Sequence, residues 1–177
     1  MSTTTIEEQL TDVRRRIDRL QARAQTGAAA QRARIQRHVD ALHRQEESVR
    51  AAARQAPDEV DEKLGQLRTR LAVAENSLAA DVSDEWTTFA AAVEAELQAL
   101  DTYLERLQAT AAAKAGSARE RAEAAIADVR TRRIAVYDGL AQARKNVDGA
   151  WHEQRNHVSA ARDELEQKAA ELSPNFN

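Results

Sequence analysis

Large aliphatic residues recur along this chain at alternating spacings of four and three, and this pattern most constrains what it can fold into. The first series comprises Ile6, Leu10, Val13, Ile17, Leu20 and Ala24. A second series with the same spacing comprises Val60, Leu64, Leu67, Leu71, Ala74 and Leu78. Residues spaced in this way lie on one face of an α-helix, as in coiled coils. The spacing therefore predicts long amphipathic helices whose apolar faces pack together.

The composition excludes most other fold classes. The 177 residues include 38 alanines, 5 glycines, 2 prolines, 2 tryptophans, 2 tyrosines and 2 phenylalanines. β-Sandwiches and barrels need frequent turn residues and strands rich in aromatic or β-branched residues. An α/β enzyme needs glycine-rich turns between its strands and helices. A chain dominated by alanine, arginine, glutamate and leucine is instead typical of coiled coils.

Pro57 marks the first boundary between predicted helices. Proline is well tolerated in the first turn of a helix, and the acidic residues Asp58 and Glu59 complement the positive end of the helix dipole. We therefore predict a first helix over residues 5–54 and a second over residues 57–114.

Gly116 marks the second boundary. Glycine suits the left-handed conformation that follows many helices, and Ser117 with Glu120 has the spacing of a capping box. These signals predict a third helix over residues 117–172, with a frayed tail at residues 173–177. Short turns between three helices favour antiparallel neighbours. The predicted fold is all-α, one domain over residues 1–177 that forms an elongated antiparallel bundle of three long helices with coiled-coil-like packing.

Two weaker signals leave the continuity of these helices open. Gly27 interrupts the first helix, although the three alanines that follow favour its continuation. Asp81 and Ser83 could cap a fresh helix, which would break the second helix near residues 81–83. Polar residues also enter the apolar stripe of the first helix at Gln31 and Glu46.

The sequence also predicts a cytoplasmic protein. The chain contains no cysteine, so disulfide bonds and thiolate ligands are excluded. Its first residues lack the basic and apolar regions of a secretory signal. No stretch reaches the roughly 18 consecutive apolar residues of a membrane-spanning helix.

Charge is distributed unevenly, although the net charge is only −3. Residues 1–55 carry 11 arginines and 7 acidic residues, whereas residues 56–115 carry 5 basic and 12 acidic residues. Helices of opposite charge are expected to lie side by side. As candidates for contact with a partner we select the arginines of the first basic cluster, which are Arg14, Arg15, Arg16, Arg19 and Arg23.

Patterns that carry catalysis or bind metals are missing. The histidines form two pairs, His38 with His43 and His152 with His157, each separated by five residues. This spacing turns about 140° around a helix, so it does not match a helical zinc site. Asp40 and His43 have the acid-x-x-His spacing of di-iron bundles, but a second copy is missing. With no phosphate-binding glycine loop or nucleophile elbow, we predict no catalytic residue, no metal site and no cofactor.

Nucleic acid and lipid surfaces are the alternative partners. Further arginines at positions 32, 34, 37, 44, 130, 132 and 133 could contact phosphates. The negative net charge and the lack of aromatic stacking platforms argue against nucleic acid. In general composition the chain resembles exchangeable apolipoproteins and phasin-like coats, which implies association with a lipid surface. The narrow, alanine-rich faces favour helix-to-helix contact over lipid.

Two tryptophans are expected to share one layer of the bundle. Trp86 and Trp151 lie at similar distances from the turn near residue 115, so antiparallel helices place them within about 10 Å along the axis. Taken together, the sequence predicts a non-enzymatic helical scaffold or protein-interaction module. Its partner would be another protein or a second copy of the chain as a homodimer. We expect no small-molecule substrate.

Overall fold

A computed structural model describes residues 3–145 and 151–172, except for the side chains of residues 3, 4 and 151. Within these residues every regular element is helical and no strand occurs. The prediction of an all-α protein is therefore confirmed. A short 3₁₀ turn, Pro57–Glu59, precedes α3, and the α-helices are α1 (Thr3–Ala24), α2 (Ala29–Gln55), α3 (Val60–Asp81), α4 (Trp86–Ala112), α5 (Gly116–Lys145) and α6 (Trp151–Glu171).

Where the sequence predicts one helix over residues 5–54, the structure has α1 and α2. The backbone N–H of Gly27 donates to the Ala24 carbonyl at 3.0 Å, and the Thr26 hydroxyl donates to the Arg23 carbonyl at 2.9 Å. These bonds satisfy carbonyls that have no partner within the helix and so end α1. The chain is extended at Ala28, with ψ of 158°, before α2 begins.

The second and third predicted helices are also divided. The break near residues 81–83 is present, because α3 ends at Asp81 and α4 begins at Trp86. In place of one helix over residues 117–172, the structure has α5 and α6, which run antiparallel as shown below. Residues 146–150 and the predicted tail at 173–177 lie outside the described residues. Gly116 adopts the expected left-handed conformation, with φ of 56°.

The chain divides into two compact units, and α4 contributes to both. The first unit contains the described residues up to Val82 together with Ala92–Arg106. The second unit contains Ser83–Ala91 and the described residues from Leu107 onwards.

In the first unit, α2 and α3 run antiparallel and α1 packs against both. Arg34, near the start of α2, forms an ion pair with Asp81 at the end of α3. Lys63, near the start of α3, donates to the Ser48 hydroxyl near the end of α2 at 3.2 Å. The core between these helices contains the residues of both four-three series, from Ile6 to Ala24 and from Val60 to Leu78. Burying each large aliphatic side chain stabilises the fold by about 1.5 to 3 kcal/mol.

In the second unit, α5 and α6 run antiparallel. Arg132 of α5 forms an ion pair with Glu164 of α6, and Asp128 lies 3.8 Å from Lys168. These pairs show that residue numbers rise along α5 as they fall along α6. Buried residues of this unit include Phe89, Leu107, Ile126, Val129, Val136, Leu140, Val158 and Leu165.

Three large apolar residues in the described part of the chain are exposed. Val82, four residues after the end of the second apolar series, is 49% exposed because α3 has ended before it. Ile134 and Tyr137 of α5 are 54% and 36% exposed. The buried stripe of α5 passes through Val129, Val136 and Leu140 instead.

Candidate interaction surface

The structure divides the five arginines of the predicted contact cluster into two sets. Arg16 donates two hydrogen bonds to Glu75 of α3, from Nε at 3.0 Å and from the terminal nitrogen NH2 at 2.6 Å. The Nε atom of Arg14 lies 3.6 Å from the carboxylate of Glu46 on α2. The hydrogen bond to Glu75 raises the pKa of Arg16 above its ordinary value, so the Arg16 guanidinium keeps its charge until strongly alkaline pH. Both arginines are therefore paired with acidic residues inside the first unit.

Arg15, Arg19 and Arg23 form the other set. All three are exposed, and their spacing of four places them on one face of α1. The Nε atom of Arg19 donates to the Arg15 carbonyl at 3.3 Å. This row of guanidinium groups leads to the turn between α1 and α2.

Two more exposed arginines, Arg32 and Arg37, lie beyond that turn on α2. No acidic residue occurs between positions 19 and 39, which is a signal visible in the sequence but not used in choosing the cluster. We call Arg19, Arg23, Arg32 and Arg37 the basic hairpin tip. Sequence reasoning thus selected the α1 half of this surface as the partner contact and considered Arg32 and Arg37 only as contacts for nucleic-acid phosphates.

The start of α2 lacks the features that usually stabilise the N-terminus of a helix. Its N-cap residue, Ala28, offers no side-chain hydrogen bond, and its first turn has no acidic residue. Ser, Thr, Asp or Asn at this position would stabilise the helix by about 1 kcal/mol. Arg32 in the first turn also places a positive charge at the positive end of the helix dipole. Residues that depart from local stability in this way are often found at functional sites.

A buried ion pair fixes the base of the basic hairpin tip. The side chains of Arg34 and Asp81 are only 6% and 7% exposed, and they tie the start of α2 to the end of α3. Arg34 is therefore used inside the first unit. The Arg32 guanidinium donates to the Gly27 carbonyl at 2.9 Å, which holds Arg32 over the turn.

Further along α2, the carboxylate of Glu46 lies close to three basic side chains. Its own side chain is 2% exposed, and it lies 3.6 Å from Arg14 and from Nδ1 of His43. Arg50 donates a hydrogen bond to the same carboxylate. The polar residue that interrupts the apolar stripe of the sequence is therefore a buried acceptor for cations from α1 and α2.

The four histidines differ in burial and in their surroundings. His38 is buried, His43 faces Glu46, and His152 and His157 are exposed. Across residues 3–145 and 151–172, no group of three or more His, Cys, Asp or Glu side chains is arranged to hold a metal ion.

Of the two tryptophans in the predicted aromatic layer, the structure describes the side chain of Trp86 only. Trp86 packs near Phe89, with ring centroids 6.1 Å apart and planes tilted by 38°. The side chain of Trp151 lies outside the described part of the chain, so the shared layer stays a prediction. Phe89 is contacted instead by two arginines of α6, since the guanidinium carbons of Arg155 and Arg162 lie 5.6 Å and 6.0 Å from its ring centroid.

The chain matches no protein family, no curated protein and no solved structure. Among the described helices, none combines the length and the apolar character needed to cross a membrane.

Proposed function

We propose that this protein is a non-enzymatic helical scaffold that binds an acidic protein partner through the basic hairpin tip. The observation that carries the proposal is the acid-free stretch of residues 19–39, which displays four exposed arginines around one turn. The proposal includes coiled-coil-like packing of the helices, supported by their heptad spacing, and a cytoplasmic location, supported by the absence of cysteine.

Arginine is well suited to such a contact. Its planar guanidinium forms paired hydrogen bonds with carboxylates, as Arg16 does with Glu75. A patch of one charge also speeds association with a partner of opposite charge. Each exposed ion pair contributes about 0 to 1 kcal/mol, so four pairs alone give at best roughly millimolar affinity. The partner must therefore also pack against the exposed alanines of the turn, at positions 28, 29, 30 and 33.

The lipid alternative has weaker support in the same region. Binding at a membrane surface requires large apolar side chains that insert between headgroups. The exposed positions of the basic hairpin tip between Arg19 and Arg37 carry alanine, glutamine, threonine and arginine, but no large apolar residue. We therefore place an acidic protein surface ahead of a lipid surface or a nucleic acid.

Fluorescence anisotropy tests the proposal by comparing how the protein binds three different probes. The probes are an acidic peptide of alternating glutamate and alanine, a short DNA duplex, and vesicles of anionic lipid, each titrated at low and physiological salt. A variant with the four tip arginines changed to glutamine should lose peptide binding by about tenfold or more. The matched control changes four other exposed arginines to glutamine, which are Arg44, Arg68, Arg121 and Arg144.

The outcomes separate the candidate functions. Binding of the peptide that is lost in the tip variant and retained in the control supports the proposal. Tighter binding of DNA or vesicles than of peptide would move nucleic acid or lipid to first place. Equal losses in the tip variant and the control would show that only overall charge matters and would contradict a specific surface.

A further inference from the structure

The outer face of α5 carries the only large apolar groups exposed in the described part of the second unit. Ile134 is 54% exposed and Tyr137 is 36% exposed, three residues apart on the same helix. Exposed residues continue this face at spacings of three and four, through Ala127, Thr131 and Ala141. A face with this spacing matches the stripe by which one helix packs against another.

The charges beside this face indicate what covers it. Asp138 lies four residues after Ile134, and Arg130 lies four residues before it. Lys145 and Glu123 lie eleven residues after and before Ile134. A second α5 that runs antiparallel, with Ile134 opposite Ile134, therefore places every Arg130 beside an Asp138 and every Glu123 beside a Lys145.

The same charge spacing disfavours two α5 helices that run parallel in register. If two α5 helices ran parallel in register, Asp138 would face Asp138 and Arg130 would face Arg130, and like charges in contact are destabilising. The antiparallel arrangement has two-fold symmetry and produces four opposite-charge pairs. It also places the small Thr131 opposite the large Tyr137. Towards the ends of the contact, Ala127 lies opposite Ala141, so two small side chains meet.

We propose that a second copy of this chain docks on the outer face of α5, antiparallel and centred on Ile134. Arg130 donates to Gln108 at 2.6 Å, and its guanidinium has further N–H groups for Asp138 of the second copy. A contact made by one helix and small side chains falls in the class of weak or transient interfaces. The proposal concerns the second unit only and does not depend on the basic hairpin tip.

Sedimentation velocity of the full chain, from about 10 to about 500 µM, measures this association in the range expected for a small interface. The wild-type protein should shift from monomer towards dimer over this range. Ile134→Glu should abolish the shift, because it places a carboxylate at the two-fold axis. Val82→Glu is the matched control, since Val82 is similarly exposed but lies in the first unit. Circular dichroism at 222 nm checks that both variants remain helical.

Charge reversal tests the alignment itself. Asp138→Arg and Arg130→Asp should each weaken self-association about tenfold, since each change turns two symmetry-related attractions into repulsions. A mixture of the two single variants should restore dimers, because every Arg then meets an Asp across the interface. A wild-type protein that stays monomeric throughout, equal behaviour of Ile134→Glu and Val82→Glu, or a mixture that fails to associate would each overturn the proposal.

Discussion

The hydroxyl group of Tyr103 gives the sharpest test of how the first unit is held together. Tyr103 is 1% exposed on α4. Its oxygen accepts a hydrogen bond from Gln45 of α2 at 3.0 Å and another from Arg70 of α3 at 3.2 Å. The Arg70 guanidinium carbon also lies 5.6 Å from the centroid of the tyrosine ring. One oxygen atom thus links three helices, and Tyr103→Phe deletes it while keeping the ring.

The expected cost follows from the two bonds. A bond between neutral groups contributes about 1 kcal/mol, and a bond from a charged donor about 1.5 to 3 kcal/mol. Gln45 is half-buried, so water can replace part of its lost bond. The contact between Arg70 and the ring remains in the variant. We therefore expect Tyr103→Phe to lower the free energy of unfolding by about 2 to 3 kcal/mol.

Urea denaturation followed by circular dichroism at 222 nm measures this change. With a slope of about 2 kcal/mol per molar urea, the midpoint should fall by about 1 M. Tryptophan fluorescence follows the second unit separately, because Trp86 and Trp151 both belong to it. The matched control is Tyr137→Phe, which removes an exposed hydroxyl and should change stability by less than about 0.5 kcal/mol. A midpoint for Tyr103→Phe within about 0.25 M of wild type would refute the reasoning.

Further stability predictions concern packing and glycine. Leu67→Ala should cost about 2 to 5 kcal/mol because Leu67 is fully buried, whereas Val82→Ala at its exposed site should cost less than about 0.5 kcal/mol. Gly139→Ala should stabilise by about 0.5 to 1 kcal/mol, since a Cβ there meets its nearest neighbour, Val158 Cγ2, at an ordinary 3.4 Å within a helix. Gly116→Ala should instead destabilise by about 1 kcal/mol, because φ is 56°. Urea midpoints check all four, and reversed signs for the two glycines would contradict the assignment of their conformations.

The apolar stripes could be predicted from the sequence because they depend on helix periodicity alone. Seven leucines at helical spacing are all buried, and these are Leu64, Leu67, Leu71, Leu100, Leu104, Leu107 and Leu140. The 3₁₀ turn at Pro57 and the left-handed Gly116 also lie where local backbone preferences place them. Periodicity reports which face is buried, however, and carries little information about where a helix stops.

The remaining breaks depended on weaker local signals. At Gly27, helix-favouring alanines follow immediately, and the turn is stabilised by hydrogen bonds from Gly27 and Thr26 that the pattern does not reveal. Between α5 and α6 the sequence contains Asn146, Asp148 and Gly149, which are residue types common in turns. These turn residues compete with apolar residues at helical spacing on both sides, which favour one continuous helix.

The candidate surface was only half predictable for a related reason. A count of charges finds the arginines of α1, but which of them pair within the first unit depends on acidic residues of other helices. Arg14 and Arg16 meet Glu46 and Glu75, and these contacts form only after α1 has packed on α2 and α3. What the sequence does contain is the acid-free interval from residue 19 to residue 39, which spans both sides of the turn between α1 and α2.

The ion pairs inside the first unit also explain how alanine-rich helices keep a single register. Faces made of small side chains and repeated leucines would pack almost equally well after a slide of one heptad, about 10 Å. If α3 slides by one heptad, Glu75 moves away from Arg16. In one direction of sliding, Arg68 then takes the position of Glu75 beside Arg16. The same slide replaces Asp81 by Ala74 opposite Arg34, whose side chain is almost fully buried. Buried charges contribute little net stability, but separating them is costly, so their main effect here is to make the shifted registers unfavourable.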